Sequence, residues 1–259
     1  MRAIIVAPGG GYGNHEAVDI GHVLSSSLAL PRLALVVIKS NQKLYEVTST
    51  RRSYNEGCIA AHALDLVGDR WALLVVRELM LGARRFSALR EGLPGISANV
   101  LTQRLEGLEA AGLVSRAILP DPARVQVYAL TDAGLGLWPV LRALCHWGAA
   151  QPGHDPRQFI SPTALMLSMR AMCARDRAGA HVVQMQLGAD RFIIRTAPGA
   201  YRVARGDSPA APLRFTGQAN AMAAAIYGPR PLAECAQGLI GFEGDLAEGQ
   251  AFVDLFRLR

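Results

Sequence analysis

Apolar residues recur at helical spacing through most of residues 58–150, with one interruption of strand-like runs. Ile59 to Val67 predicts a short apolar helix ended by Gly68. Asp69 is placed to cap a second helix whose apolar face is Trp71, Leu74, Val75 and Leu79, with Gly82 as its stop. Phe86 to Leu93 predicts a third helix, closed by Pro94-Gly95. Ser97 caps a fourth, Ala98 to Ala111, which Gly112 ends. Val114 to Leu119 and Val125 to Leu130 read as strands joined by the turn composition Pro120-Asp121-Pro122-Ala123. Thr131 caps a last helix reaching about Ala150, with a kink expected at Pro139.

Residues 151–160, with Pro152, Gly153 and Pro156, predict a linker. A helix starting at Ser161-Pro162 follows. Strands are expected at His181–Leu187, Arg191–Thr196, Ala200–Arg205 and Leu213–Thr216. An alanine-rich helix Gln218–Tyr227, a strand near Leu239–Glu243 and a helix Leu246–Phe256 complete an α+β pattern. The domain plan is therefore 51–150, a linker at 151–160 and 161–259. Residues 1–50 read differently: both lysines of the chain, Lys39 and Lys43, lie there. Their Pro8-Gly9-Gly10-Gly11-Tyr12-Gly13 run lacks the G-x-G-x-x-G spacing and a following helix, so no nucleotide loop is expected. A poorly ordered extension, or a start assigned too far upstream, is the expectation for this segment.

The fourth helix carries the most informative pattern. At about 100° per residue, Leu101, Leu105, Leu108 and Gly112 fall in one arc. Asn99, Thr102, Gln103 and Glu106 fall in the opposite arc. One face can pack while the other offers short hydrogen-bonding side chains. Asn and Gln can bond adenine edges, and Thr can meet a base or a thymine methyl. The Ser97 end exposes backbone amides suited to a phosphate. Arg84, Arg85 and Arg104 flank the unit, and Arg124 sits in the strand turn, where each could neutralise backbone charge on double-stranded DNA. A solvated amphipathic helix would show the same arcs. The order of helix, Pro-Gly turn, Ser-capped helix and hairpin favours the DNA reading.

Charge adds little. The net charge is +6, but residues 51–150 hold 11 Arg against 9 acidic residues and residues 151–259 hold 12 against 9. The basic excess is thus spread evenly, and pattern must carry the case. Four widely spaced cysteines, Cys58, Cys145, Cys173 and Cys235, form no C-x-x-C, so neither a disulfide framework nor a structural zinc site is expected. The apolar run Leu33 to Ile38 is far shorter than the roughly 18–20 residues of a membrane span. A reduced, cytoplasmic protein without membrane attachment, metal or cofactor is expected. No Walker loop, H-E-x-x-H or G-x-S-x-G motif is present, so no catalytic residues are assigned.

A set of spaced landmarks now resembles one family. These are Cys58-Ile59, Ala63-Leu64-Asp65-Leu66-Val67-Gly68-Asp69-Arg70-Trp71, Arg77-Glu78-Leu79, Arg85-Phe86, Leu93-Pro94-Gly95-Ile96-Ser97 and Leu101-Thr102-Gln103-Arg104-Leu105. Leu108-Glu109, Gly112-Leu113-Val114, Tyr128-Ala129-Leu130-Thr131 and Gly134 continue the match. Together they resemble the HxlR-type bacterial regulators, dimeric winged helix-turn-helix repressors or activators. The resemblance implies that Ala98–Ala111 reads DNA through Asn99, Thr102 and Gln103. Ser97, Arg84, Arg85, Arg104 and Arg124 would then serve the DNA backbone. It also implies a homodimer built from the first and last helices. Trp138, Leu141, Leu144 and Trp147, at helical spacing, are either that interface or intrachain core.

Some members of the family sense electrophiles or oxidants through a cysteine at the position of Cys58. Here Ile59 replaces the proline often found next, and a small hydrophobic role for Cys58 is the alternative. The C-terminal pattern resembles the sterol-carrier-protein fold, a sheet covered by helices around an apolar tunnel. The residues carrying it are Leu213-Arg214-Phe215-Thr216-Gly217, the helix ending at Tyr227-Gly228, and Gly241-Phe242-Glu243-Gly244-Asp245. Met166, Met169, Met185 and Met222 would line a pocket for a small apolar effector, or simply fill the core. The expected fold is thus mainly α with α+β: a winged helix-turn-helix followed by a sterol-carrier-like domain. The function rivals are a thiol-based sensor and a lipid carrier.

Overall fold

Leucines at helical spacing build the first half of the molecule. The structure is a computed structural model describing residues 53–118 and 125–256. The expected N-terminal extension and the strand turn with Arg124 lie outside those residues. The first half runs α1 (Ile59–Val67), α2 (Ala72–Leu79), α3 (Phe86–Glu91), α4 (Ala98–Ala110), β1 (Val114–Ile118), β2 (Gln126–Leu130), α5 (Asp132–Leu135) and α6 (Trp138–Ala149). Val75, Val76, Leu79, Leu89, Leu93, Leu101, Leu105 and Leu108 form its core. Burying each such side chain is worth about 1.5–3 kcal/mol. β1 and β2 pair antiparallel, with Val114 opposite Leu130.

Three local expectations are corrected. Asp69 does not cap α2; the N-cap is Trp71, held at φ 80 with no side-chain cap. Asp69 is paired with Arg104 instead. The buried face of α2 is rotated from the expected one, so Leu74 is exposed and Glu78 is fully buried. Pro139 does not kink one long helix: the chain breaks into α5 and α6, and Pro139 takes the first turn of α6. A missing N–H has no intrahelical partner to lose there.

The second half runs α7 (Pro162–Met172), a 3-10 turn (Arg175–Arg177), β3 (His181–Leu187), β4 (Asp190–Ala197), β5 (Ala200–Arg205) and β6 (Leu213–Gly217). It continues with α8 (Ala219–Tyr227), α9 (Leu232–Cys235), β7 (Gly241–Glu243), α10 (Leu246–Val253) and a closing 3-10 turn (Asp254–Phe256). The sheet order is β5-β4-β3-β6-β7. β3 and β6 are parallel, and the other neighbours are antiparallel. Alternation decides which face is covered. Val183, Met185, Phe192, Ile194, Tyr201 and Phe215 are buried with residues of α7, α8, α9 and α10. Arg191, Arg195, Arg202 and Thr216, on the other face, are exposed.

Met166, Met169, Met185 and Met222 are all fully buried in this second core. They line neither of two surface clefts. The surface clefts beside the sheet have other linings, one by Gln186, Thr216, Gln218 and Leu239 and another by Val182, Arg195 and Arg202. The linker also marks no clean break in packing. From α7, Leu165, Met166 and Met169 enter the second core while Leu167 enters the first. The described residues accordingly form one compact unit.

Candidate nucleic-acid interface

The candidate interface comprises α3, the turn after it, α4 and the β1–β2 hairpin. Gly95 takes φ +88 in that turn, a conformation that side chains other than glycine's disfavour. Ser97 then caps α4, its hydroxyl accepting from the Val100 N–H at 3.3 Å. Leu101, Leu105 and Leu108 are at most 1% exposed and hold α4 against the core. The opposite side carries Asn99, Thr102, Gln103 and Glu106, all exposed. α4 thus presents amide and hydroxyl groups from its first turns, next to its positive dipole end. Arg85, the N-cap residue of α3, is exposed as well. On the hairpin, Arg116 is exposed, pairs with Glu109 at 2.9 Å and lies over the Tyr128 ring.

Two arginines expected at the DNA backbone are engaged within the subunit. Arg104 is paired with Asp69, which ties α4 to the segment between α1 and α2. Arg84 is corrected more strongly. Its side chain is 11% exposed, and the guanidinium donates to Thr163 Oγ1 at 2.9 Å. It also lies 3.7 Å from Glu78 and 3.7 Å from Asp190. An arginine so committed is not free to meet a phosphate.

The apolar stripe on α6 is divided. Leu141 is buried in the first core, and Trp138 packs against that core with Arg170 4.2 Å over its ring. Leu141 is thus covered within the subunit, while Trp138 is half-buried. Leu144 and Trp147 remain exposed, Trp147 at 66%, and Val140 extends their patch. Ile59 and Leu64 on α1 are likewise exposed.

Cys58 is exposed at the N-cap of α1. The backbone amides of Ala61 and then Ala60 hold its thiol below the usual pKa. Burial pushes Cys145 up, and Cys173 up to about 11. Among the described residues no group of His, Cys, Asp and Glu could hold a metal ion. Among them, too, no helix is long and apolar enough to cross a membrane.

Sequence reasoning missed a buried polar cluster where the two halves meet. Glu78 Oε1 accepts from Ser161 Oγ at 2.6 Å and from Arg77 at 2.9 Å. A Cβ on Gly92 would stand 2.5 Å from the Glu78 carboxylate, so this close approach requires glycine. Thr163 Oγ1 accepts from Arg205 at 2.6 Å as well as from Arg84, and Arg205 also donates to Asp190. One signal was legible: Glu78 follows Val75 by three residues, which puts a carboxylate on the inward face of α2.

Residues 66–155 match the sequence model of the HxlR-like helix-turn-helix family. The chain is 41% identical over 86 residues to the HTH-type transcriptional regulator YvaP of Bacillus subtilis, covering 33% of this chain and 79% of that protein. It is 42% identical over 93 residues to the HTH-type transcriptional regulator sll1512 of Synechocystis, covering 36% of this chain and 68% of that protein. The chain belongs to the HxlR-like helix-turn-helix family. It is therefore a helix-turn-helix transcriptional regulator. The solved reduced form of the regulator YodB from B. subtilis is 33% identical, covers 38% of this chain and 100% of its own, and has a TM-score of 0.35. The HxlR match ends at residue 155, before α7 and the five-stranded sheet.

Proposed function

We propose that this HxlR-type regulator binds an inverted-repeat operator as a homodimer. Asn99, Thr102 and Gln103 read base edges, with Ser97, Arg85 and the wing residue Arg124 at the DNA backbone. The observation that carries the reading is the two-sidedness of α4. Its leucines are sealed in the core, while its amide and hydroxyl side chains all face solvent. Val140, Leu144 and Trp147 leave an apolar strip on α6 that suits a second copy of the chain. A two-fold dimer places half-sites about one or two helical turns apart.

The C-terminal half fits a sterol-carrier-like domain in having a sheet with its helices on one face. The burial of its methionines favours a regulatory scaffold over a carrier. The test is selection of bound duplexes from random DNA by the full chain. Enrichment of an inverted repeat is expected, and a selected pool no different from the input would sink the reading.

A second reading concerns Cys58, favoured by its exposure and by the backbone amides that stabilise its thiolate. A lowered pKa gives more thiolate at any pH below it. Iodoacetamide near pH 7 is therefore expected to label Cys58 well before Cys145 and Cys173, as read by mass spectrometry. Operator release by diamide is expected to vanish in Cys58→Ser. Release that persists in that variant would end the sensor reading.

A further inference from the structure

The half-buried cluster between the two halves has a specific geometry. Arg84 belongs to the DNA-binding half through its backbone. Its N–H donates to the Tyr128 carbonyl at 2.9 Å, and its carbonyl accepts from the Tyr128 N–H at 2.8 Å. Arg84 thus pairs with β2 of the wing and directly precedes Arg85, the N-cap of α3. Its side chain reaches into the other half. It is hydrogen-bonded to Thr163 in the first turn of α7 and faces Asp190 at the start of β4.

The cluster is only partly satisfied. Arg77, Arg84 and Arg205 meet two carboxylates, Glu78 and Asp190. Arg84 stands 3.7 Å from an oxygen of each and is hydrogen-bonded to neither. Glu78 Oε2 and Arg205 Nε are buried without a hydrogen-bond partner. Buried polar groups left half-paired cost free energy and make their arrangement sensitive to small shifts. Arg84 can approach the carboxylate of its own half or that of the C-terminal half. Its backbone carries either choice directly into α3 and the wing.

We infer that Arg84 is a positioning residue for DNA binding, held by Thr163 and Asp190 so that the C-terminal half sets the placement of α3 and the wing. This rests on the DNA-binding reading above, and the experiment separates the two. It uses the full chain with Arg84→Gln, Asp190→Asn and the double variant.

The first readout needs no DNA. Amide exchange at Arg84 and Tyr128 is expected to quicken about tenfold in each single variant, with β3–β4 amides unchanged. The double variant is expected to be no faster than the worse single one. The second readout is affinity for the selected duplex as a function of salt. Each single variant is expected to lose about fivefold or more, within the range of couplings between sites. The slope of log affinity against log salt should stay that of the unaltered chain.

A phosphate contact behaves differently. Its loss in Arg84→Gln would flatten that slope by about 0.9 for each subunit of the dimer, while Asp190→Asn would bind at full strength. That pattern, or unchanged exchange at Arg84 and Tyr128, overturns the inference. If the unaltered chain shows no sequence preference, the DNA reading fails, and the exchange result decides by itself whether the halves are coupled here. Should Arg84→Gln not fold, Asp190→Asn carries both readouts, because its side chain is a quarter exposed.

Discussion

Replacing Asn99 and Gln103 together by alanine is expected to erase most of the preference for the selected operator. Each bidentate base contact is worth about 1–3 kcal/mol, and a dimer loses every contact twice. Both residues are exposed, and the leucines that anchor α4 lie on its other side, so folding stability should barely change. The check is titration of the variant against the operator and a scrambled duplex, with a thermal melt in parallel. Affinity for the scrambled duplex should hold, because backbone contacts remain. A preference that survives the double substitution would move base reading away from α4.

Phe252→Ala is expected to destabilise the protein by about 3–5 kcal/mol, a large share of a typical folding free energy. Phe252 is fully buried on α10. Its ring meets Phe256 at 5.0 Å, Phe215 at 5.7 Å and His181 at 5.9 Å between centroids. It therefore joins the terminal helix to β3 and β6 across the core. Truncation would leave a void lined by rings that cannot all collapse into it. Denaturant unfolding of the full chain measures the loss. A cost below about 1 kcal/mol would mean that helices and sheet enclose adaptable space, as a ligand tunnel requires, and not a filled core.

These two effects fall on opposite halves, yet the halves are not independent. α7 supplies Leu167 to the first core and Leu165, Met166 and Met169 to the second. A destabilised C-terminal core therefore also removes support from the DNA-binding half. Phe252→Ala should lower operator affinity indirectly under conditions where it is partly unfolded, and recover it where folding is complete.

The elements of the fold were legible because they rest on local rules. The strands His181–Leu187 and Ala200–Arg205 follow alternation, and Ser97, Thr131 and Ser161 cap helices where short polar side chains precede apolar runs. The outward face of α4 was legible for the same reason: helical spacing decides which side chains share a face, whatever the helix packs on. The partners of long side chains were not. Arg84 meets Thr163 across 79 positions, and Glu78 meets Ser161 across 83. No periodicity relates residues so far apart. Arg84 and Arg85 look alike in sequence, yet one is tied inward and the other is exposed. Trp138, Leu141, Leu144 and Trp147 share one stripe, and only the docking of α7 against α6 decided which of them stay uncovered. The methionines likewise suited a pocket or a core. The approach of α7 and α8 to one face of the sheet buried them there, and that approach depends on the whole chain being folded.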